Sequence, residues 1–260
     1  MMLDITLQPN KKIYFISDLH LGAPDYERSL AREKKVIFFL DSIQADAQAL
    51  FLVGDTFDFW FEYQQVVPKY FIRFFAKLIA LKEKGVDIYV FTGNHDLWLK
   101  DYLSKEIGVL IFYDKTTFQL ISENRSPSVL VAHGDGLGPG DKKYKILKKI
   151  FTNPVCQWLF RWLHPDIGIK IAQWWSRHSF TDPSVEVFKG EEKEWLIQYC
   201  KRKLTQMPID YFVMGHRHLP MEIKLTDTSK YINLGDWIVH QQYAVFDGNE
   251  ILLNKFDNEQ

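Results

Sequence analysis

The chain has 260 residues, with 32 Lys and Arg against 33 Asp and Glu, for a formal charge of −1. This length can bury a large core and is read as one domain over 1–260. The near-neutral balance speaks against nucleic acid as a partner, and no run approaches the ~20 apolar residues of a membrane span.

Met1–Asn10 carries Asp4 and no long apolar stretch, so no signal peptide is expected and the chain reads as cytoplasmic. In chain order, Lys12–Ser17, Ala49–Val53, Asp87–Thr92 and Ser128–Ala132 are apolar and nearly uncharged, as strands covered on both faces are. Between the first three, Glu27–Gln44 and Val66–Lys84 place apolar residues at helical spacing, and Gly85 stops the second. Shorter strands are expected near Val109–Phe112, Phe118–Ile121, Met221–Leu225, Tyr231–Leu234, Tyr243–Phe246 and Ile251–Phe256, the last two joined by a turn at Asp247-Gly248-Asn249. A βαβα front with an antiparallel tail predicts two mixed β-sheets packed face to face and flanked by helices, an αββα sandwich. Cys156 and Cys200 form no CxxC pair and read as buried thiols.

About 140–204 the chain turns helix-like, an insertion into the strand pattern. Its first half mixes Phe151, Trp158, Phe160, Trp162, Trp174 and Trp175 with Lys142, Lys143, Lys145, Lys148, Lys149, Arg161, Lys170 and Arg177. Two readings fit: an insert whose aromatics pack on the sheet and whose lysines are solvated, or an interfacial element with rings at headgroup level and bases toward anionic lipid.

Chemistry concentrates in motifs that follow strands: Asp18-Leu19-His20, Gly54-Asp55, Gly93-Asn94-His95-Asp96, His133-Gly134-Asp135 and Gly215-His216-Arg217-His218. Strand C-terminal ends are where α/β sheets hold ligands. Asp18 and His20, two apart, share a side and can grip one ion; Asp55 is the natural bridge between two, Asn94 offers a neutral oxygen, and His216 and His218 share a face. Mixed imidazole, carboxylate and amide donors suit Mn²⁺, Fe²⁺, Zn²⁺ or Mg²⁺. The set is too large for one ion and about right for two, which points to a dinuclear hydrolase.

DLHLG at 18–22, GDTFD at 54–58, GNHD at 93–96, HGD at 133–135 and GHRH at 215–218 resemble the signature of the calcineurin-like metallophosphoesterases. The resemblance implies one metal on Asp18, His20, Asp55 and His218 and another on Asp55, Asn94, His133 and His216. It further implies a catalytic His95 beside the phosphoryl group, oriented by Asp96. The cations would be manganese, with iron or zinc as alternatives.

Within that superfamily, GDTFDFW at 54–60, HGDGLGPGD at 133–141, WSR at 175–177 and LGDW at 234–237 are similar to the diphosphatases of lipid A biosynthesis that split UDP-2,3-diacylglucosamine. What this implies is a nucleotide-linked glycolipid substrate, a helical lid that receives acyl chains, and peripheral association with the cytoplasmic face of the inner membrane. Trp158, Trp162, Trp174, Ile146 and Leu163 would line the acyl groove and Lys142–Lys149 would dock it. Asn94, His95, Asp141, Ser176, Arg177 and His216 would contact substrate. The best-known branch carries Arg at the position of His95, so this chain resembles a GNHD-containing branch. A phosphoesterase acting on a soluble nucleotide or phosphodiester is the alternative enzyme reading, and a non-catalytic metal-binding scaffold the alternative of another class.

Overall fold

The computed structural model describes residues 2–139, 142–179 and 186–257, with the backbone alone for 142, 143, 173 and 175–179. Among the described residues, twelve strands form two six-stranded sheets. The first sheet follows the order β12 (Ile251–Lys255), β11 (Gln242–Phe246), β2 (Lys12–Ile16), β3 (Ala47–Val53), β4 (Asp87–Phe91), β5 (Leu110–Phe112). The second runs β1 (Met2–Thr6), β6 (Thr116–Ile121), β7 (Ser128–Ala132), β8 (Tyr211–Met214), β10 (Lys230–Asn233), β9 (Met221–Lys224).

Strand periodicity builds the layers. In β2, Ile13 and Phe15 face the opposite sheet and pack with Phe51, Phe118, Val131 and Val213. Tyr14 and Ile16 face outward, where α1 (Tyr26–Ile43), α2 (Ile72–Glu83) and α3 (Tyr102–Ile107) cover them with Val36, Leu40, Phe74, Leu78 and Leu103. The second sheet's outer face is covered by Leu196, Ile197 and Cys200 of α7 (Trp195–Leu204). Both faces of each sheet are thus buried, which is why the strands read as continuous apolar runs. The architecture is the expected sandwich of two mixed sheets flanked by helices. The tail is less antiparallel than expected, because β8 pairs parallel with both β7 and β10.

The helix expected over Val66–Lys84 begins only at Ile72. Pro68 lies in the lost stretch, and Tyr70 and Phe71 hold left-handed backbone (φ 95° and 59°) that no helix continues. Phe71 is instead driven into the core against Phe57, with ring centroids 5.0 Å apart, and the carboxylate of Glu33 accepts the Phe74 N–H at 3.1 Å.

The helix-like stretch resolves into α4 (Lys142–Phe151), α5 (Pro154–Arg161) and α6 (Pro165–Ser179), then a non-helical 186–194 before α7. Phe151 and Phe160 pack on Trp98 of the body. The α5 stripe Val155, Trp158, Leu159, Trp162, spaced as one helical face, is turned outward, with Trp162 75% exposed. Cys200 is buried as expected, but Cys156 is only half-buried, since α5 buries none of its residues. Among the described residues no helix is long and apolar enough to cross a membrane.

Candidate metal centre

The C-terminal ends of β2, β3, β4, β7 and β8 open onto one cleft of about 430 Å³, lined by His20, Asp55, Asn94, His95, His216 and His218 among others. The loops after β2 and β3 are tied together, Asp18 N–H donating to the Gly54 carbonyl at 3.1 Å and His20 N–H to that of Asp55 at 2.9 Å. Asp18, His20, Asp55 and His216 all adopt left-handed backbone (φ 55°, 42°, 49° and 68°). Asp and His tolerate that region better than branched residues do, and such strain gathers at functional sites. Closeness requires glycine at the motif positions. A Cβ at Gly93 would overlap the Asp55 carboxylate, and one at Gly215 would overlap Ser17 Oγ and Asp18 Oδ2.

Each carboxylate is half anchored and half presented. Asp55 Oδ1 accepts the His95 N–H at 2.8 Å, while Oδ2 lies 3.2 Å from His133 Nε2 and 3.7 Å from His20 Nε2. Asp18 Oδ2 accepts from Ser17 Oγ and, at 3.0 Å, from the His216 N–H. Its Oδ1 has no hydrogen-bond donor among the described residues and faces His218 Nε2 at 3.3 Å and His20 Nε2 at 3.7 Å. The imidazoles follow the same plan. His133 Nδ1 donates to the Val53 carbonyl at 3.0 Å, which leaves Nε2 pointing at Asp55 and at Asn94 Oδ1, 3.2 Å away. His216 Nδ1 also meets Asn94 Oδ1, at 2.9 Å.

Asp18, His20 and His218 present donor atoms within 4.8 Å of one another, as do Asp18, Asp55 and His133, and also His20, Asp55 and His95. Burial would raise the Asp18 and Asp55 carboxyls, but the His133 charge and the other imidazoles hold both well below the usual range. Burial pulls His20 and His133 down, yet the Asp18 and Asp55 carboxylates outweigh it and raise both to about 10. Burial and the His133 charge push His216 down to about 4. Converging, buried, part-unsatisfied O and N donors with outward-anchored backs fit divalent cations, with Asp55 Oδ2 between two donor groups.

The expected partnership of Asp96 with His95 is corrected. Asp96 turns inward, accepting N–H groups from Gly93 at 2.7 Å, Thr56 at 2.8 Å and Phe57 at 3.4 Å, and it ties the two turns together. Burial and the Asp55 charge push its carboxyl up to about 7. His95 is held by Asp58 instead: its Nδ1 donates to the Asp58 carbonyl at 2.9 Å and lies 3.5 Å from Asp58 Oδ1. Asp58 was visible in GDTFD but carried no assigned role.

Arg32 was missed as well. Buried on α1, it donates to the His20 carbonyl at 2.6 Å and to that of Ala23, bracing the turn that carries His20. A basic residue four positions before Val36 on an apolar face was the available signal. In HGD, Asp135 accepts from Tyr144 Oη and Lys148 Nζ, both at 2.6 Å, which turns one lysine of the basic cluster inward and ties α4 to the cleft. Asp141 lies outside the described residues, and Ser176 and Arg177 are described by backbone only, at the end of α6.

The calcineurin-like phosphoesterase family profile matches residues 11–220, and the chain belongs to that family of metal-dependent phosphoesterases, which are hydrolases. It is 34% identical to the UDP-2,3-diacylglucosamine hydrolase of Porphyromonas gingivalis, over 95% of this chain and 98% of that protein. It is 28% identical to the enzyme of the same name from Actinobacillus succinogenes, over 87% and 92%. Among solved structures, it is similar to Vacuolar Protein Sorting 29 from Cryptosporidium parvum, with a TM-score of 0.44 and 11% identity over 95% of this chain and 98% of that one.

Proposed function

We propose that the protein hydrolyses the pyrophosphate of UDP-2,3-diacylglucosamine to UMP and 2,3-diacylglucosamine 1-phosphate. The observation that carries this reading is the end-to-end match to a hydrolase named for that substrate. The proposed ligands are Asp18, His20, Asp55 and His218 for one cation and Asp55, Asn94, His133 and His216 for the other. Manganese is the ion of choice for the test. When bound, two such cations neutralise phosphoryl charge and acidify a water.

This chain's own residues supply orientation and proton handling. Asp55 Oδ1 is fixed by the His95 N–H, so the nucleophile's side of the cleft and the acid's side share one rigid contact. Nδ1 of His95 is committed to Asp58, which leaves Nε2 to meet the departing oxygen, as a hydrogen-bond donor when the ring is charged. Asn94, His95 and His216 border the cleft and are the proposed phosphoryl contacts. A leaving group that is itself a phosphate monoester has its second pKa near ~6 and departs without full protonation, so His95 acts here mainly through charge.

The single-domain reading with α4–α6 as a lid belongs to the same proposal. The outward stripe Val155, Trp158, Leu159 and Trp162 offers the apolar, aromatic surface that acyl chains and a bilayer headgroup layer would take, which supports peripheral association with the cytoplasmic face of the inner membrane as part of this reading.

The test offers manganese-loaded protein UDP-2,3-diacylglucosamine in detergent, with labelled water and mass spectrometry of products. UMP together with the acylated sugar phosphate is expected, with the label in one of them. Rapid hydrolysis of soluble nucleotides with the glycolipid untouched would overturn the substrate assignment.

A further inference from the structure

GHRH places an arginine between two imidazoles of the metal centre, and Arg217 faces away from them into the side of the cleft. Its Nε and Nη2 each lie 3.1 Å from a different oxygen of Glu194, a two-pronged contact, and Nη1 bonds Glu186. Glu194 is buried and immediately precedes α7; Glu186 begins the described part of the segment that follows α6. Glu194 also draws in the Lys189 N–H at 3.4 Å, and the Gly190 carbonyl accepts the N–H groups of Lys193 and Glu194. The 186–195 segment is therefore a folded wall. Glu186, Lys189, Lys193, Glu194, Trp195 and Arg217 line the same cleft as His95 and His216.

We infer that Arg217 is a positioning residue that clamps this wall to the loop bearing His216 and His218, and so sets the width and charge of the cleft beside the metal centre. Planar guanidinium fits both oxygens of one carboxylate, a geometry that lysine cannot reproduce. The clamp neutralises two carboxylates that would otherwise face an anionic phosphoryl substrate, and it keeps Lys189 and Lys193 at the cleft. Removing one partner of a buried pair leaves the other uncompensated, so loss of Arg217 both loosens the wall and strands the Glu194 and Glu186 carboxylates beside the cleft.

The inference rests on the phosphoesterase reading of the cleft and adds a determinant of substrate binding to it. The test compares wild type, Arg217→Met, Arg217→Lys and the double variant Arg217→Met/Glu194→Gln as full-length, manganese-loaded protein. It measures bound metal, KM and kcat for UDP-2,3-diacylglucosamine and for a small chromogenic phosphodiester, and amide hydrogen exchange. Arg217→Met is expected to raise KM for the glycolipid about tenfold, the loss of one charge-assisted contact, with kcat within about twofold. The diester's KM should move less. Arg217→Lys should recover part of the loss, and the double variant should bind better than Arg217→Met because the buried one of the two stranded carboxylates, Glu194, is gone. Independent of any substrate, exchange should rise over 186–195 in Arg217→Met.

Unchanged exchange across that segment overturns the clamp. So does lost metal with kcat falling equally on both substrates, which would assign Arg217 to the folding of the ligand loop. If wild type leaves the glycolipid intact, the substrate assignment fails and the exchange profile alone decides the clamp.

Discussion

Asp55 sits where one carboxylate oxygen is bonded to backbone and the other lies between His20 and His133. Asp55→Ala should lose at least one of two bound manganese ions in an elemental assay and cut turnover by about three orders of magnitude, since a bound cation contributes several kcal/mol to the transition state. Wild-type rates in metal-replete Asp55→Ala would contradict the bridging role. His95→Ala should keep both ions. It should slow a diester with a poor leaving group by about 10²-fold, within the range of acid catalysis, and a pyrophosphate by less. Equal losses on the two substrates would remove the charge-based account of His95.

The raised His20 and His133 give a pH dependence with a definite sign. Both are held near 10 by Asp18 and Asp55 against burial, so in metal-free protein they carry protons at neutral pH, whereas His216, near 4, does not. Ligation requires neutral imidazole. Manganese affinity should therefore rise with pH from 6 to 9, and binding should release protons, as calorimetry in buffers of different ionisation enthalpy would register. An affinity independent of pH would show those imidazoles already neutral.

Residue identities at the centre were legible because each motif is local: aspartate, histidine and asparagine recur within two or three positions of a strand end. What held them in place was not. The family resemblance implies Asp96 as the partner of His95, yet successive side chains in a turn diverge, and Asp96 bonds the backbone of a loop forty residues away while Asp58 takes the ring. Arg217 likewise reaches Glu194 and Glu186, 23 and 31 residues back.

At the scale of elements, the helix-like reading of about 140–204 meets α4, α5, α6 and α7 with 186–194 non-helical between them, and it could not say which face met the body. The aromatics divide. Phe151 and Phe160 lock onto Trp98 and Phe61, while Trp158, Trp162 and Trp174 stay exposed. Replacing Trp158 and Trp162 with alanine should cost little stability, because surface changes usually stay within about 0.5 kcal/mol. It should raise KM for the glycolipid several-fold more than for a chromogenic diester. Equal effects would deny these rings an acyl-binding role. The late start of the helix expected over Val66–Lys84 is a second case, in which core demand for Phe71 overrode an apolar period that ran straight through Pro68.

For the whole molecule, the centre bridges the two sheets: Asp18, His20, Asp55 and Asn94 come from one and His133, His216 and His218 from the other. Cations held across that seam stabilise the native state by mass action, about 2.7 kcal/mol at a hundredfold excess over Kd. Chelation should lower Tm by about 5–10 °C for a chain of this size, with recovery on adding manganese back. A Tm indifferent to chelation would mean the seam is held without metal.

The one-dimensional pattern determined which chemistry this protein carries and most of the segments that are strands, β1 excepted, because ligand type and strand periodicity are properties of near neighbours. Which oxygen of each carboxylate faces inward, which aromatics meet solvent, and what Arg217 grips were decided only by tertiary structure. Those outcomes depend on contacts between residues far apart in the chain, and no local spacing encodes them.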